Sequence, residues 1–191
     1  MEHRGRPCVH PEGRAEWRDW LAEHHATSDG VWLVSWKAAT GRPRLPYEEA
    51  VEEALCVGWI DSLANTLDDE RSLQLMTPRK RGSGWSRRNK ERVQRLTAAG
   101  LMRPAGLAAV EAARADGSWS LFDAVEDLIE PDELRAGLEE RPGARERWDR
   151  FSPSSRKAAL QWIATAKRPE TRARRIAETV RLAAEGRRPI G

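Results

Sequence analysis

The chain has 191 residues, with few cysteines and no long apolar run. Cys8 and Cys56 lie far apart in different contexts, one polar and one apolar, so we expect neither a disulfide framework nor a zinc site. No apolar stretch approaches the roughly 20 residues that cross a bilayer, and the polar start leads into no apolar segment. The sequence therefore predicts no membrane insertion, no secretory signal and a cytoplasmic location.

Standard catalytic motifs are also missing. The sequence contains no Gly-x-Ser-x-Gly elbow, no Cys-x-x-Cys pair and no paired-carboxylate pattern. His24 and His25 are adjacent and would point to different faces of a helix, with no third ligand at suitable spacing. We therefore predict neither a metal nor a cofactor.

Positive charge is concentrated in two regions, although the formal net charge is only +3. Residues 79–95 carry eight basic side chains against Glu91 alone, and residues 167–188 carry eight against three acidic ones. Such regions suit an anionic ligand, a phosphate or a nucleic acid. Solvated arginine-rich helix faces are the alternative, and for the second region they are the preferred interpretation.

Hydrophobic periodicity predicts an α+β fold, with a small mixed or antiparallel sheet and flanking helices in the N-terminal half and only helices in the C-terminal half. We divide the chain into an α/β part, 1–100, and a helical part, 101–191. Ser152-Pro153 predicts a helix start, with serine as N-cap and proline in the first turn. The first part is predicted to contain helices at 11–26, 46–58 and 86–100 and strands at 31–37, 59–67 and 71–77.

Nine tryptophans stand against two phenylalanines and one tyrosine. Trp17, Trp20, Trp148 and Trp162 occupy apolar helix faces and are expected in the core. The other tryptophans of interest each lie beside a polar or charged residue at the end of an element: Trp36, Trp59 and Trp85.

Asp61 follows Trp59 on the same face of a predicted strand. A carboxylate there would be partly desolvated, which favours its protonated form and suits a general acid or base. The alternative, held about equal, is that Asp61 caps a turn or pairs with an arginine of the basic loop.

The segment from Thr77 to Lys90 combines glycines, hydroxyls and cations and leads into a helix start, as an anion site requires. It lacks the spacing of a P-loop, so nucleotide hydrolysis is not supported. From the pattern alone, simple capping by Ser83 and Ser86 with solvated cations is slightly favoured.

The same stretches carry a family resemblance, which rests on the strings EEALCVGWIDS, TPRKRGSGWSRRNKERV, AAGLMRPAGLAAVEAARADGSW and FSPSSRKAALQWIATAKRPETRARRIAETVRLAAEG. Over roughly residues 17–186 the chain resembles the bacterial bacteriocin-protection, YdeI/OmpD-associated family. Val57 departs from the family, which often has an aromatic residue there. The resemblance implies a cytoplasmic protein that protects against bacteriocins or other antimicrobials.

The resemblance also groups eight residues as one ligand-binding site, which we expect to be a tryptophan-lined, cationic pocket. Lys37 and Trp36, at the end of the first predicted strand, are candidates to join it. The eight residues are Trp59, Asp61, Arg79, Lys80, Ser83, Trp85, Ser86 and Asn89.

Three functions remain open, in this order. The first is a binding module, monomeric or homodimeric, that sequesters a small-molecule or peptide antimicrobial. The second is a hydrolase-like enzyme that modifies such a compound, with Asp61 as the catalytic acid or base. The third is a nucleic-acid binder that uses the basic segments.

Overall fold

The first part of the chain forms a five-stranded mixed sheet in the computed structural model, which describes residues 1–188. Its strands lie in the order β1-β2-β3-β5-β4. Strand β2 runs parallel to β3, and the other neighbouring pairs are antiparallel. The strands are β1 (Glu2–His3), β2 (Arg6–Val9), β3 (Val31–Trp36), β4 (Trp59–Thr66) and β5 (Arg71–Pro78).

Helices make up most of the remaining secondary structure, so the predicted α+β class is confirmed. A 3₁₀ turn, Ala38–Thr40, follows β3. The helices are α1 (Arg14–His24), α2 (Tyr47–Cys56), α3 (Arg87–Ala98), α4 (Pro104–Ala115), α5 (Asp123–Glu126), α6 (Asp132–Glu140), α7 (Ala144–Asp149), α8 (Pro153–Ala164) and α9 (Pro169–Ala184).

The chain divides into two compact units. The first comprises Met1–Ser83 and Arg88–Asp116, and the second comprises Gly84–Arg87 and the chain from Gly117 onward. The predicted domain boundary at residue 100 stays a prediction.

Strand β3 is the centre of the first unit, because it is buried on both faces. Val31 and Leu33 point into a cluster with Trp17, Leu21 and Met76. Trp32 and Val34, on the opposite face, pack with Leu73 and Leu75 of β5. The strand predicted at 31–37 is thus confirmed, and its first four residues are apolar and covered on both faces.

The second unit has a helical core of its own. Trp148 and Leu134 are fully buried in it, and they pack with residues of α8 and α9. Helix α8 begins as predicted, because the Ser152 hydroxyl accepts a hydrogen bond from the Ser155 amide at 3.2 Å and Pro153 occupies the first turn.

Strands β1 and β2 were not predicted. Residues 1–9 read as a polar tail around Cys8, yet Cys8 and Val9 pair with Trp32 and Leu33 of β3. A four-residue strand that contains Pro7 is too short to show an alternating pattern, so no periodicity predicts it. Both cysteines are free thiols.

Candidate functional site

Tyr47, Asp61 and Arg79 are brought together by α2, β4 and the end of β5. Asp61 pairs with Met76 across the β4–β5 ladder, and paired residues project to the same face of a sheet. Met76 is fully buried, so Asp61 projects from the edge of the core-facing side, as Trp59 does two residues earlier. A register shift follows between Asp61 and Ala64, which interrupts the regular ladder beside the carboxylate.

Tyr47 holds the Asp61 carboxylate. Its hydroxyl donates a hydrogen bond to Asp61 Oδ2 at 2.7 Å. Burial, together with this hydrogen bond and the negative charge of Asp61, raises the pKa of Tyr47 from 10.0 to about 12. The hydroxyl therefore keeps its proton at neutral pH and acts there as a donor.

Arg79 places a desolvated cation near the same carboxylate. Its backbone N–H donates to the Gly58 carbonyl at 2.9 Å, which extends the β4–β5 pairing by one residue. Burial lowers the pKa of the Arg79 guanidinium from 12.5 to about 10, and the negative charge of Asp61 partly counteracts that effect. A charged group that is held out of water beside an opposite charge is typical of functional sites, although ion-pair networks also produce it.

Arg92, from α3, adds a second buried cation. Only 3% of the residue is exposed. Its guanidinium binds Glu48 in a bidentate manner, at 2.8 and 2.6 Å, and donates to Asn89 Oδ1 at 2.6 Å. The hydrogen bond from Arg92 is the largest of the effects that lower the pKa of Glu48 from 4.5 to about 2. We call Tyr47, Asp61, Arg79 and Arg92 the Asp61 cluster.

The basic loop that follows Arg79 is held by its own polar groups. The Ser83 hydroxyl donates to the Lys80 carbonyl at 2.6 Å, and the Gly82 amide donates to Asp116 Oδ2 at 3.2 Å. Gly82 has a φ of +72°, in the left-handed region that glycine adopts without strain. The side chains of Lys80 and Arg81 are exposed in this loop.

Comparison with family models gives two matches on different parts of the chain. A model described as a domain of unknown function, DUF8412, matches residues 9–109, which is more than half of the sequence. The chain belongs to this family. A second model, described as bacteriocin-protection, YdeI or OmpD-associated, matches residues 127–186. Neither the search of curated proteins nor that of solved structures returned a match.

The second match confirms the predicted resemblance for the C-terminal segment. The strings quoted from residues 52–119 lie outside it and largely within the DUF8412 match. The Asp61 cluster therefore belongs to the DUF8412 part of the chain, and the bacteriocin-protection description applies to a helical segment of the second unit.

Trp36 and Lys37 lie away from the Asp61 cluster. Strand β5 runs between β3 and β4, and Trp36 pairs with Arg71 at one end of it, whereas Asp61 pairs with Met76 five residues further along. Trp36 is contacted by Arg42, whose Cζ atom lies 4.2 Å from the ring centroid, and Lys37 Nζ donates to the Asp68 carbonyl at 2.8 Å. The sheet register thus separates Trp36 and Lys37 from Asp61.

Trp59 and Trp85, which were both predicted to line the ligand site, are buried packing residues, each within its own unit. Trp59 is 1% exposed, and its indole N–H donates to the His25 carbonyl at 3.1 Å. Trp85 is equally buried and lies 5.0 Å from the Trp119 ring. Trp85 and Ser86 belong to the second unit. Their grouping with Asp61 in one site stays a prediction.

Sequence reasoning missed Tyr47 and Arg92 as members of the Asp61 cluster, and Glu48 as the partner of Arg92. Tyr47 is half exposed at the start of α2. It is the only tyrosine of the chain, and that is the one signal the sequence offers. Glu48 and Arg92 are 44 positions apart, and no local pattern joins them.

Within residues 1–188, no group of three or more histidine, cysteine or acidic residues is arranged to hold a metal ion. No helix in the same range has both the length and the apolar character that crossing a membrane requires.

Proposed function

We propose that the chain is a cytoplasmic protein that protects against a bacteriocin or another antimicrobial by binding a small or anionic ligand at the Asp61 cluster and the adjoining basic loop. The description of the family that matches residues 127–186 supports the protective role. The ligand is a small molecule or a peptide, and the protein acts as a monomer or a homodimer.

The observation that carries the proposal is the Arg79 guanidinium, which is desolvated beside the Asp61 carboxylate. Its Nε atom is shielded from solvent, and burial lowers its pKa to about 10. A desolvated guanidinium binds an anionic group more strongly than a solvated one, since less water must be displaced and the local dielectric is low. Lys80 and Arg81, exposed next to it, would attract an anion toward the site.

A hydrolase that uses Asp61 is the second candidate. The Tyr47 hydroxyl fixes one oxygen of the Asp61 carboxylate at 2.7 Å, and an oriented carboxylate at the edge of a core is suited to proton transfer. Binding is preferred because the carboxylate lies beside desolvated cations, which suit an anionic ligand.

A nucleic-acid role is less favoured, because several arginines of the basic segment are ion-paired. Counterion release requires cations that are available to phosphates. The pairs are Arg87 with Asp127, Arg88 with Glu48, Arg92 with Glu48, and Arg95 with Glu52.

Tryptophan fluorescence and mass spectrometry test the proposal together. The purified protein is titrated with a panel of antimicrobial compounds and phosphate-bearing metabolites, and each mixture is analysed for the mass of the compound. A saturable fluorescence change with the compound recovered intact supports binding. A new product mass that disappears in Asp61→Asn, while binding persists, supports the enzyme instead.

Arg79→Gln and Arg81→Gln form a matched pair for this experiment. Both remove one arginine charge from the same loop, but Arg81 is exposed and lies outside the Asp61 cluster. We expect Arg79→Gln to weaken binding about tenfold or more, as the loss of a charged hydrogen bond does, and Arg81→Gln to weaken it slightly. Equal effects of the two substitutions would contradict a site at Arg79.

A further inference from the structure

A pocket of about 480 Å³ lies in the first unit, and none of its lining residues belongs to the Asp61 cluster. It is formed by α1, the end of α2 and the segment that leads into α4. Its size falls within the roughly 300–1,000 Å³ of typical small-molecule sites. The lining residues that the argument uses are Leu21, Ala22, Glu53, Val57, Leu101 and Arg103.

The floor of this pocket is aliphatic. Leu21 and Val57 are buried, and Leu101 is 43% exposed, so the Leu101 side chain is accessible to a ligand in the pocket. Cys56 also lines the pocket, and burial raises the pKa of its thiol to about 11, so the thiol is neutral at physiological pH. The floor would therefore favour an apolar body over a polar one.

The negative charge of Glu53, the carboxylate that lines the pocket, is already balanced by two arginines. It is 4% exposed, accepts two hydrogen bonds from Arg18 at 2.9 and 2.7 Å, and also binds Arg14 at 2.5 Å. Burial alone would raise the pKa of Glu53, but the hydrogen bonds from Arg18 and Arg14 outweigh burial and lower it. The carboxylate thus stays ionised and committed to these two partners.

Arg103 supplies the charge that has no internal partner. Its backbone N–H donates to the Cys56 carbonyl at 2.9 Å, which anchors the residue at the start of α4. Its exposed side chain makes no ion pair or hydrogen bond with any residue in the range 1–188. The rim of an aliphatic pocket therefore carries an unpaired guanidinium, an arrangement complementary to a molecule with an apolar body and one anionic end.

We infer that this pocket binds a small amphipathic carboxylate, with its aliphatic body on Leu21, Val57 and Leu101 and its carboxylate on Arg103. This site shares no residue with the Asp61 cluster, and it goes beyond the protective role proposed for the chain. The apolar contacts supply most of the affinity, and the pairing with Arg103 selects an acid over an uncharged molecule of the same length.

Isothermal titration calorimetry with octanoate tests the inference, with 1-octanol as the uncharged probe of equal chain length. Octanoate is expected to bind at one site per chain, and 1-octanol about tenfold more weakly. Absence of saturable octanoate binding, or equal affinity for the two probes, would overturn it.

Two pairs of variants locate the site. Arg103→Gln should weaken octanoate binding about tenfold without changing that of 1-octanol, whereas Arg44→Gln, another exposed arginine, should leave both unchanged. Ala22→Leu should fill the pocket and abolish binding of both probes. Ala15→Leu, also on an exposed face of α1 but outside the lining, should have no effect. If Arg103→Gln and Ala22→Leu both bind octanoate with the affinity of the wild type, the site is refuted.

Discussion

The Tyr47 hydroxyl donates a 2.7 Å hydrogen bond to Asp61 Oδ2, and so ties the first residue of α2 to the third residue of β4. The contact fixes a carboxylate at the edge of the core, next to Arg79, whose own pKa reflects burial and the charge of Asp61. The start of α2, strand β4 and the end of β5 thereby place the Asp61 carboxylate and the Arg79 guanidinium near each other.

The titration of Tyr47 reports this contact directly, because the chain has no other tyrosine. Absorbance of tyrosinate at high pH should rise with a midpoint at about 12. Asp61→Asn should lower that midpoint, since it removes the charge and weakens the acceptor, but burial should keep it above 10.0. Asp69→Asn, in an exposed turn, should leave it unchanged.

The sign of the corresponding stability effect follows from the raised pKa. The folded state holds the Tyr47 proton more tightly than the unfolded chain. Its contribution to stability is therefore complete below pH 10.0 and is lost as the pH rises through about 12. A midpoint near 10.0 while circular dichroism shows a folded chain would contradict the hydrogen bond between Tyr47 and Asp61.

Glu48 neutralises a buried arginine, and its removal should be costly. Glu48→Gln leaves Arg92 without its bidentate partner, so we expect the free energy of unfolding to fall by about 2 kcal/mol, less than for a fully buried pair because Glu48 is partly exposed. Glu49→Gln removes a charge from the same helical turn, with no ion pair lost, and should cost less than about 0.5 kcal/mol. Urea denaturation of both variants measures the difference.

The pH dependence of the Glu48 contribution has the opposite sign from that of Tyr47. Since the folded-state pKa is lowered from 4.5 to about 2, the stabilisation is present above pH 4.5 and is lost as the pH falls toward 2. The acid denaturation profile of Glu48→Gln should accordingly be flatter than that of the wild type over this interval. Parallel profiles would show that the ion pair does not form.

Gly106 allows α4 to approach the end of α2. A Cβ atom built on Gly106 would clash with the carbonyl group of Cys56, and backbone atoms cannot easily move aside. Helix propensity alone predicts that Gly106→Ala stabilises the protein by up to about 1 kcal/mol. We expect the clash to outweigh the gain in helix propensity, so that the free energy of unfolding falls by about 1–3 kcal/mol. A rise in melting temperature would show that the two helices are further apart.

Glu130 stabilises the helical second unit. It accepts a hydrogen bond from the indole N–H of the fully buried Trp148 at 2.7 Å, and it pairs with Arg145 at 2.7 Å. Glu130→Gln removes the charge from both contacts, so we expect a loss of about 2 kcal/mol in the free energy of unfolding. Glu139→Gln, on the exposed side of α6, is the control and should be close to neutral.

The sequence predicts those features whose signals are local. The apolar run from Val31 to Val34 identifies β3, and Ser152-Pro153 identifies the start of α8. Asp61 could likewise be placed on the face that carries Trp59, because a strand repeats every two residues.

Features that depend on pairing between distant segments could not be read from one sequence. The pattern gives two strands after Gly58, but not which of them lies beside β3. Since β5 takes that place, Trp36 is paired with Arg71 rather than brought to Asp61. The bond between Tyr47 and Asp61 is hidden for the same reason, because it joins a helix to a strand 14 residues later.

The most direct test of the proposed function is the survival of sensitive bacteria that express the chain, challenged with a panel of bacteriocins and other antimicrobials. Wild-type protein, Arg79→Gln and Arg81→Gln are compared at equal cellular abundance. We expect the wild type and Arg81→Gln to raise survival against at least one compound, and Arg79→Gln to lose that protection. Full protection by Arg79→Gln, or no protection by the wild type, would contradict a protective role that depends on Arg79.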